Sequence, residues 1–297
     1  MNILITGGTG FVGTALKNKL IEQGNHVFIM TRSPDKYRDE DKIKYISYDE
    51  VKEDLPKIHA VYNLAGESLF GRWTESKRRS ILNSRIDSTN KILDFIAQLD
   101  ERPDVFINAS AVGFYGMDNE RIFTEETREP GSDFLAHVTT EWEKNAQRSE
   151  TLGIRTVYAR FGIILAKDAG ALSLMKLPFQ SFVGGKVGRG KQWMSWVHLE
   201  DCVNILIFAK DNKKISGPLN VTSPFPKRNE QFSKLLGTAL KRPAFFTLPK
   251  GIISSVLGDM SSLITEGQYV YPDKALEHDF IFTFPQLTDA LHDIFQK

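Results

Sequence analysis

The sequence has little of what marks metalloproteins and disulfide-rich secreted proteins. Among its 297 residues there is a single cysteine, Cys202, which excludes an internal disulfide and a cluster of thiolates around a metal ion. We expect this side chain to behave as a small apolar residue within a helix. The six histidines are scattered without the spacing typical of metal ligands, so the sequence predicts no metal site.

A strong excess of charge and a long apolar run are absent as well. The formal net charge is +1 and no block of like charge stands out, which predicts neither a nucleic-acid partner nor binding to a membrane surface. No apolar run approaches the roughly eighteen residues of a membrane-spanning helix, and no secretory leader is recognisable. We therefore expect a cytoplasmic protein in a reducing environment.

What the sequence does contain is an alternation of strand and helix patterns along its first two thirds. Apolar runs predict strands at Ile3–Thr6, His26–Met30, Ala60–Leu64, Val105–Ala109 and Ile154–Ala159, with further strands at Lys44–Tyr48 and Leu219–Val221. Helical runs between them lie at Phe11–Gln23, Glu75–Leu99 and Asp133–Thr151. This rhythm predicts an α/β fold with a doubly wound parallel sheet of the Rossmann type.

The composition of the sequence changes beyond about Ser216, where prolines cluster and helical runs such as Glu230–Leu240 become short. We predict a Rossmann-type domain over residues 1–215 and a small α-rich C-terminal domain over residues 216–297. The second domain is expected to lie over the carboxyl edge of the sheet. Ligands of open α/β sheets bind in the crevice outside that edge, so the substrate is expected between the two domains.

The most informative stretch is the first thirteen residues, MNILITGGTGFVG, in which an apolar strand runs into a glycine turn. The glycines fit G-x-G-x-x-G as Gly8, Gly10 and Gly13, or G-x-x-G-x-x-G as Gly7, Gly10 and Gly13. A tight turn needs a residue without Cβ, a diphosphate must approach bare backbone, and the amides of the following helix point at the phosphates. The strand before and the helix after this turn predict dinucleotide binding rather than a glycine-rich surface turn.

The end of the second strand indicates which dinucleotide binds. His26–Met30 is followed by Thr31 and Arg32, and the first carboxylate comes only at Asp35. An acid at the strand end would accept hydrogen bonds from the adenosine ribose of NADH, whereas an arginine would pair with the 2′-phosphate of NADPH. The sequence therefore favours NADPH over NADH. The alternative is that Arg32 is a solvated loop cation.

Several motifs together resemble a known group of proteins. The opening glycines, Asn63–Gly66 and Ser110–Gly116 resemble the extended short-chain dehydrogenase/reductase superfamily, of the NAD(P)-dependent epimerase/dehydratase type. Four further stretches resemble, more narrowly, its YfcH-like epimerase-family branch: Gly71–Thr74 with Ser84 and Arg85, Gly162–Gly190, Gln192–His198, and the tail from Leu248 to Phe295. The resemblance covers nearly the whole chain.

The resemblance implies a role for individual positions. It implies that the diphosphate is held by Gly7, Gly10, Phe11, Val12 and Gly13, and the 2′-phosphate by Thr31 and Arg32. It places Leu64, Ala65 and Gly66 beside the adenine-ribose side of the cofactor, and Arg85 on a helix that faces the cofactor. Ser110 matches the catalytic serine, whose hydroxyl hydrogen-bonds a substrate carbonyl or alcohol where charge develops.

Other interpretations of these residues stay open at this point. Ser110 could cap a local backbone group, and Ala65–Gly66 could form a plain turn at the end of a strand. The side chains of Arg72, Trp73, Trp193 and Trp196 are either substrate contacts or structural aromatics with one paired cation.

The chain departs from the superfamily in one important respect, because it lacks the Tyr-x-x-x-Lys pair that transfers protons. The spacing from Tyr115 indicates that Leu135 and Thr139 occupy the places of the pair, and neither side chain can move a proton. The YfcH-like branch lacks the pair too. Glu67, His137 and His198 are candidate substitutes, although a structural role is the commoner fate of a histidine. We expect Tyr115 to pack near the cofactor rather than to catalyse.

Two functional hypotheses follow. The first is an NADP(H)-binding enzyme, an oxidoreductase or epimerase acting on an unidentified small alcohol or carbonyl compound. The second is a non-catalytic NADP(H)-binding sensor or regulatory protein, which the missing pair favours. The glycine-rich run Gly184–Trp196, with its tryptophans, favours a real pocket and hence the first hypothesis. The sequence leaves the substrate and the oligomeric state open.

Overall fold

The computed structural model describes residues 1–49, 55–167 and 169–296. The strands, in chain order, are β1 (Asn2–Thr6), β2 (His26–Met30), β3 (Ile43–Ile46), β4 (Ala60–Asn63), β5 (Val105–Ala111), β6 (Asp118–Phe123), β7 (Arg155–Phe161), β8 (Ile163–Leu165), β9 (Gly185–Val187), β10 (Trp193–Met194), β11 (Trp196–His198), β12 (Gly217–Val221), β13 (Lys227–Arg228), β14 (Phe246–Leu248) and β15 (Gln268–Val270). The helices are α1 (Phe11–Glu22), α2 (Glu75–Ala97), α3 (Phe134–Ala146), α4 (Gly170–Met175), α5 (Leu177–Gln180), α6 (Leu199–Asp211), α7 (Asn229–Leu240), α8 (Lys250–Leu257), α9 (Ser262–Thr265), α10 (Asp273–Glu277) and α11 (Leu287–Gln296).

A parallel sheet of seven strands forms the centre of the described chain, in the order β12-β7-β5-β4-β1-β2-β3. The strand order reverses between β1 and β4, which is where a doubly wound sheet opens its ligand-binding crevice. The predicted fold class is therefore confirmed. The crevice lies at the end of β1 that leads into the glycine turn.

The strands are apolar because helices cover both faces of the sheet. Along β1, Ile3 and Ile5 pack into one core with α1 and α6, while Leu4 packs into another with α2. Cys202 is buried in the first of these cores, within α6, as the sequence predicts. No described helix combines the length and the apolar character needed to cross a membrane.

Two element boundaries differ from the prediction in ways that matter for the site. The strand predicted at Val105–Ala109 continues to Ala111, so that Ser110 lies within β5 rather than after it. The helix predicted over Asp133–Thr151 begins at Phe134, where the Asp133 carboxylate caps two backbone amides. It gives way after Ala146 to a 3-10 turn, where the Ser149 hydroxyl donates a hydrogen bond to the Ala146 carbonyl.

The C-terminal part of the chain packs against the sheet domain through a third core. Apolar side chains of α7 and α11 meet the fully buried Trp196 in this core. The final segment is fastened to α6 by Asp201, whose carboxylate accepts hydrogen bonds from the amides of Thr283 (2.7 Å) and Phe284 (2.8 Å). The domain boundary after residue 215 stays a prediction; β12, which follows it directly, pairs with β7 in the central sheet.

Candidate functional site

The glycine turn between β1 and α1 is packed so closely that side chains are excluded from it. Gly7 has a φ of +70°, and a Cβ there would come within 2.8 Å of the Leu64 backbone. A Cβ at Gly13 would overlap the Gly7 carbonyl oxygen and lie 2.7 Å from the Cα of Gly8. Gly10 is the N-cap of α1 and provides no side-chain cap, so the first amides of the helix face the crevice without a capping oxygen. This cradle fits a diphosphate.

A buried polar network ties together the carboxyl ends of β1, β4 and β5 beside the turn. The Thr6 hydroxyl donates to Asn63 Oδ1 (2.6 Å), and Asn63 Nδ2 donates to Asn108 Oδ1 (2.6 Å) and to Thr89 Oγ1 (2.8 Å). The Ala65 amide donates to Thr6 Oγ1 (3.3 Å), which fixes the loop that follows β4. The roles of Asn108 and Thr89 escaped the sequence analysis. Asn108 could have been recognised as a polar residue within an otherwise apolar strand, and Thr89 as a polar residue at a buried position of a helix.

Arg32 lies at the end of β2, in the position expected for a group that reads the adenosine. Its side chain is exposed and makes no hydrogen bond or ion pair with any described residue. Its charge acts on Tyr48, where burial raises the pKa of the phenol and the Arg32 charge partly offsets this. The backbone of Thr31 is fixed by a hydrogen bond from its amide to the Ile46 carbonyl (3.0 Å). The cation is therefore available to an anionic ligand.

Ser110 is bound to a buried ion pair that the sequence analysis missed. Its hydroxyl donates to Glu143 Oε1 (2.6 Å), and Arg160 donates to both oxygens of the same carboxylate through Nε and Nη2, each at 2.8 Å. All three side chains are buried. Burial opposes the charge of Arg160, but the hydrogen bonds and charge of Glu143 outweigh this and raise the pKa of the guanidinium.

Helix α3 presents Leu135 and Thr139 to the same cavity that Ser110 lines. The Thr139 hydroxyl is engaged within the helix, at 2.9 Å from the Leu135 carbonyl and 3.0 Å from the Ala136 carbonyl. Glu143 follows four residues after Thr139, one helical turn further along the same face. That spacing was the signal in the sequence that could have identified Glu143.

The three candidate substitutes for the missing pair lie elsewhere. Glu67 is bound by Lys77 and Ser80, whose hydrogen bonds hold the pKa of its carboxyl below the ordinary value. His137 is exposed on α3. His198 is buried at the start of α6, where its Nδ1 accepts a hydrogen bond from the Glu200 amide (3.2 Å). None of these three side chains lines the cavity next to Ser110.

Tyr115 is not a replacement either. Burial raises the pKa of its phenol to about 12, and the hydroxyl donates to Asn220 Oδ1 at 2.7 Å. Of the tryptophans left open by the sequence, Trp193 lines the cavity, whereas Trp73 and Trp196 are buried in two apolar cores. Among the described residues, no group of three or more histidine, cysteine or acidic side chains could hold a metal ion.

The cavity has a volume of about 370 Å³ and extends from the residues beside the glycine turn to Ser110. On one side it is lined by Val12 of α1, the helix that follows the glycine turn, and by Leu64 and Gly66 of the loop after β4. Arg85 also lines it; its Nη1 donates to the carbonyls of Glu67 (3.1 Å) and Ile81 (2.9 Å). Burial lowers the pKa of the Arg85 guanidinium to about 10, so it still carries a charge at neutral pH.

Known proteins resemble this chain over almost its whole length. A sequence model of the NAD dependent epimerase/dehydratase family matches residues 3–221, and a domain of unknown function matches residues 248–294. The epimerase family protein YfhF of Bacillus subtilis is 43% identical over 298 residues, covering 99% of this chain and 98% of that protein.

Two solved structures are similar as well. The human epimerase family protein SDR39U1 (isoform 2), crystallised with NADPH, has a TM-score of 0.90 and 31% identity and covers 100% of both chains. The nucleoside-diphosphate sugar epimerase of Corynebacterium glutamicum has a TM-score of 0.80 and 27% identity, over 99% of this chain and 58% of that one. The glycine cradle, the doubly wound sheet and these similarities agree: the chain belongs to the NAD dependent epimerase/dehydratase family, within the extended short-chain dehydrogenase/reductase class.

Proposed function

We propose that this protein is an NADP(H)-dependent oxidoreductase or epimerase that acts on a small alcohol or carbonyl compound. One observation carries the proposal: Ser110 and the residues around the glycine turn, Val12, Leu64 and Gly66, line a single cavity. A dinucleotide on the glycine turn and a substrate at Ser110 would therefore meet. When bound, the nicotinamide supplies or accepts the hydride.

The residues present fit the phosphorylated cofactor. We assign Gly7, Gly10, Phe11, Val12 and Gly13 to the diphosphate, because the turn is bare of side chains and the amides of α1 are uncapped. Thr31 and Arg32 are assigned to the 2′-phosphate. Supporting this, Arg32 has no described ion-pair partner, and the similar human protein was crystallised with NADPH.

The remaining cofactor positions are assigned by their place in the crevice. Leu64, Ala65 and Gly66 follow β4 and adjoin the turn, since Gly7 approaches the Leu64 and Ala65 backbone. Arg85 lies across from this loop, with its guanidinium carbon 3.3 Å from where a Cβ of Gly66 would be. We infer that Arg85 faces the cofactor from α2.

Ser110 is the proposed catalytic residue, and its surroundings define how it would act. Its hydrogen atom is directed to Glu143, so its oxygen is left to accept a hydrogen bond from a substrate hydroxyl. A proton leaving the substrate oxygen can pass to Ser110 while the serine's own proton passes to Glu143. In the reverse direction the same two groups return the proton to a carbonyl oxygen. Ser110 and Glu143 would thus transfer the proton that the absent tyrosine transfers in the superfamily.

The alternative is a non-catalytic NADP(H)-binding sensor or regulatory protein. It is favoured by Leu135 and Thr139, which present no titratable group to the cavity. The two proposals differ in turnover but share the cofactor.

The test is to follow the loss of NADPH absorbance when the purified protein is given a panel of aldehydes and ketones. We expect turnover with wild-type protein and its loss in Ser110→Ala, with NADPH affinity unchanged in both. Undiminished turnover in Ser110→Ala would overturn the role of the serine. Tight NADPH binding without turnover of any compound would favour the sensor.

A further inference from the structure

The walls of the cavity are apolar beyond the part that we assign to the cofactor. The side chains come from the loop after β4, the residue before β6, α3, β10 and α9. They are Leu69, Met117, Leu135, Val138, Met194 and Leu263. An apolar ligand group gains free energy when it leaves water for walls of this kind. The cavity therefore favours an apolar occupant.

Several uncharged polar side chains of the cavity have their donors bound to the protein. The Ser195 hydroxyl donates to the Gln268 carbonyl (2.8 Å) and accepts from the Val270 amide (2.9 Å). Gln268 Nε2 donates to the Val112 carbonyl (2.9 Å), and Trp193 Nε1 donates to the Asn119 carbonyl (3.0 Å).

The same is true on α3. Thr139 is bound to carbonyls of its own helix, and Trp142 Nε1 donates to Thr89 Oγ1 (3.1 Å). A site that recognises a sugar must offer hydrogen bonds to its hydroxyl groups, because unpaired polar groups in a closed site are costly. The donor groups of these side chains are already bound to other residues of the protein, so they are not available to the hydroxyl groups of a sugar.

The charges at the cavity also disfavour an anionic substrate. Among the described lining residues, Arg85 is the one cation, and we have assigned it to the cofactor. Its guanidinium is further held by two carbonyls and by the Trp142 ring, at 5.0 Å. The other charged lining residue is the carboxylate of Glu266, which repels anions. A diphosphate needs cations or free amides.

The volume of the cavity limits the size of the substrate. About 370 Å³ must hold the reactive end of the dinucleotide together with the substrate. Pockets for drug-sized ligands span about 300–1,000 Å³, so this one is small.

We propose that the substrate is an uncharged, predominantly apolar ketone, aldehyde or secondary alcohol, and that it is not a sugar nucleotide. The proposal rests on the function proposed above. In the oxidising direction, the carbinol C–H bond breaks and its electron pair leaves as hydride to oxidised NADP. The hydroxyl proton goes to Ser110 as the serine's proton goes to Glu143. The products are one carbonyl compound and one NADPH, with the proton on the carboxyl group.

The experiment measures binding, so that it does not depend on turnover. Protein saturated with oxidised NADP is titrated calorimetrically with acetophenone and three alkyl or aryl ketones of similar size, and separately with UDP-glucose and UDP-glucuronic acid. We expect binding of at least one ketone and none of either sugar nucleotide. Binding of a sugar nucleotide, or binding of no ketone up to its solubility limit, would overturn the substrate class.

Two variants test whether the ketone binds in this cavity. Leu263 is only half-buried in the cavity wall, so Leu263→Asp is expected to fold. It should weaken ketone binding about tenfold or more, as loss of about 1.5 kcal/mol of apolar contact predicts. Ile281→Asp is the control, because Ile281 is 87% exposed and lies outside the cavity. It should bind ketones as the wild type does, and both variants should retain NADPH affinity. Equal ketone affinity in Leu263→Asp would place the ketone elsewhere and overturn the proposal.

Failure of this proposal and failure of the proposed function give different results. Ketone binding without turnover leaves the substrate class standing and removes the enzymatic function. Turnover of a sugar nucleotide leaves an enzyme and removes the apolar substrate class.

Discussion

The hydroxyl of Ser110 and the carboxylate of Glu143 are joined by a hydrogen bond of 2.6 Å inside the protein. Arg160 donates hydrogen bonds to both oxygens of the same carboxylate, which fixes it in place. The serine proton therefore has a defined acceptor.

Glu143→Gln should lower the free energy of unfolding by about 3–5 kcal/mol, because it leaves the buried Arg160 charge without its counter-ion. Urea denaturation measures the loss. The control is Ser110→Ala, which keeps the ion pair and removes one hydrogen bond, and should cost about 1 kcal/mol. A Gln variant as stable as the Ser110→Ala variant would show that Arg160 does not depend on this carboxylate.

Arg32→Ala should weaken NADPH binding about 10- to 100-fold and leave NADH binding unchanged, because a hydrogen bond between charged groups contributes about 1.5–3 kcal/mol. Fluorescence titration with both cofactors measures the change. Arg38→Ala removes another exposed cation from the same stretch and should alter neither affinity. Equal weakening of NADPH and NADH in Arg32→Ala would refute the assignment to the 2′-phosphate.

Gly13→Ala should weaken NADPH binding at least tenfold and lower the melting temperature, since the new methyl group would overlap the Gly7 carbonyl oxygen. The neighbours are backbone atoms and cannot move aside without moving the turn. Gly251→Ala is the matched control, because nothing lies within 4 Å of a Cβ there. If the Gly13 variant bound NADPH normally, the tight packing of this turn would not be what shapes the phosphate site.

Asp201→Ala should free the C-terminal segment from α6, because the amides of Thr283 and Phe284 lose the carboxylate that accepts their hydrogen bonds. A hydrogen bond to a charged group contributes about 1.5–3 kcal/mol. Hydrogen exchange should speed up at these two amides, while NADPH affinity stays as in the wild type. Asp201→Asn keeps one carbonyl oxygen and should show a smaller change. Unchanged exchange in the alanine variant would contradict the anchoring role.

Much of the fold could be predicted from the sequence, because it depends on patterns within a few neighbouring residues. The apolar runs predict the strands, and the glycine turn predicts the crevice, since both reflect constraints within a few residues. Leu135 and Thr139 line the cavity, and their spacing from Tyr115, together with the resemblance to the superfamily, had indicated them as the residues in the places of the missing pair.

The Ser110–Glu143–Arg160 cluster was not predictable in the same way. Ser110 and Arg160 are direct neighbours across β5 and β7, and this pairing depends on the strand order and register of the whole sheet. The network of Thr6, Asn63 and Asn108 likewise joins three strands that are distant in sequence. The assignment of individual residues to the cofactor stays a prediction until it is tested by the variants above.

The cavity wall has a consequence for how such proteins can diverge. Leu263, Glu266 and Gln268 line it, and all three belong to the C-terminal segment 248–294, whereas the glycine turn belongs to the segment 3–221. The tail thus forms one part of the cavity wall, while Leu69, Met117, Leu135, Val138 and Met194 come from the segment that carries the glycine turn. If the proposed function holds, exchange of the tail between related chains would change that one part of the wall and leave the glycine turn as it is.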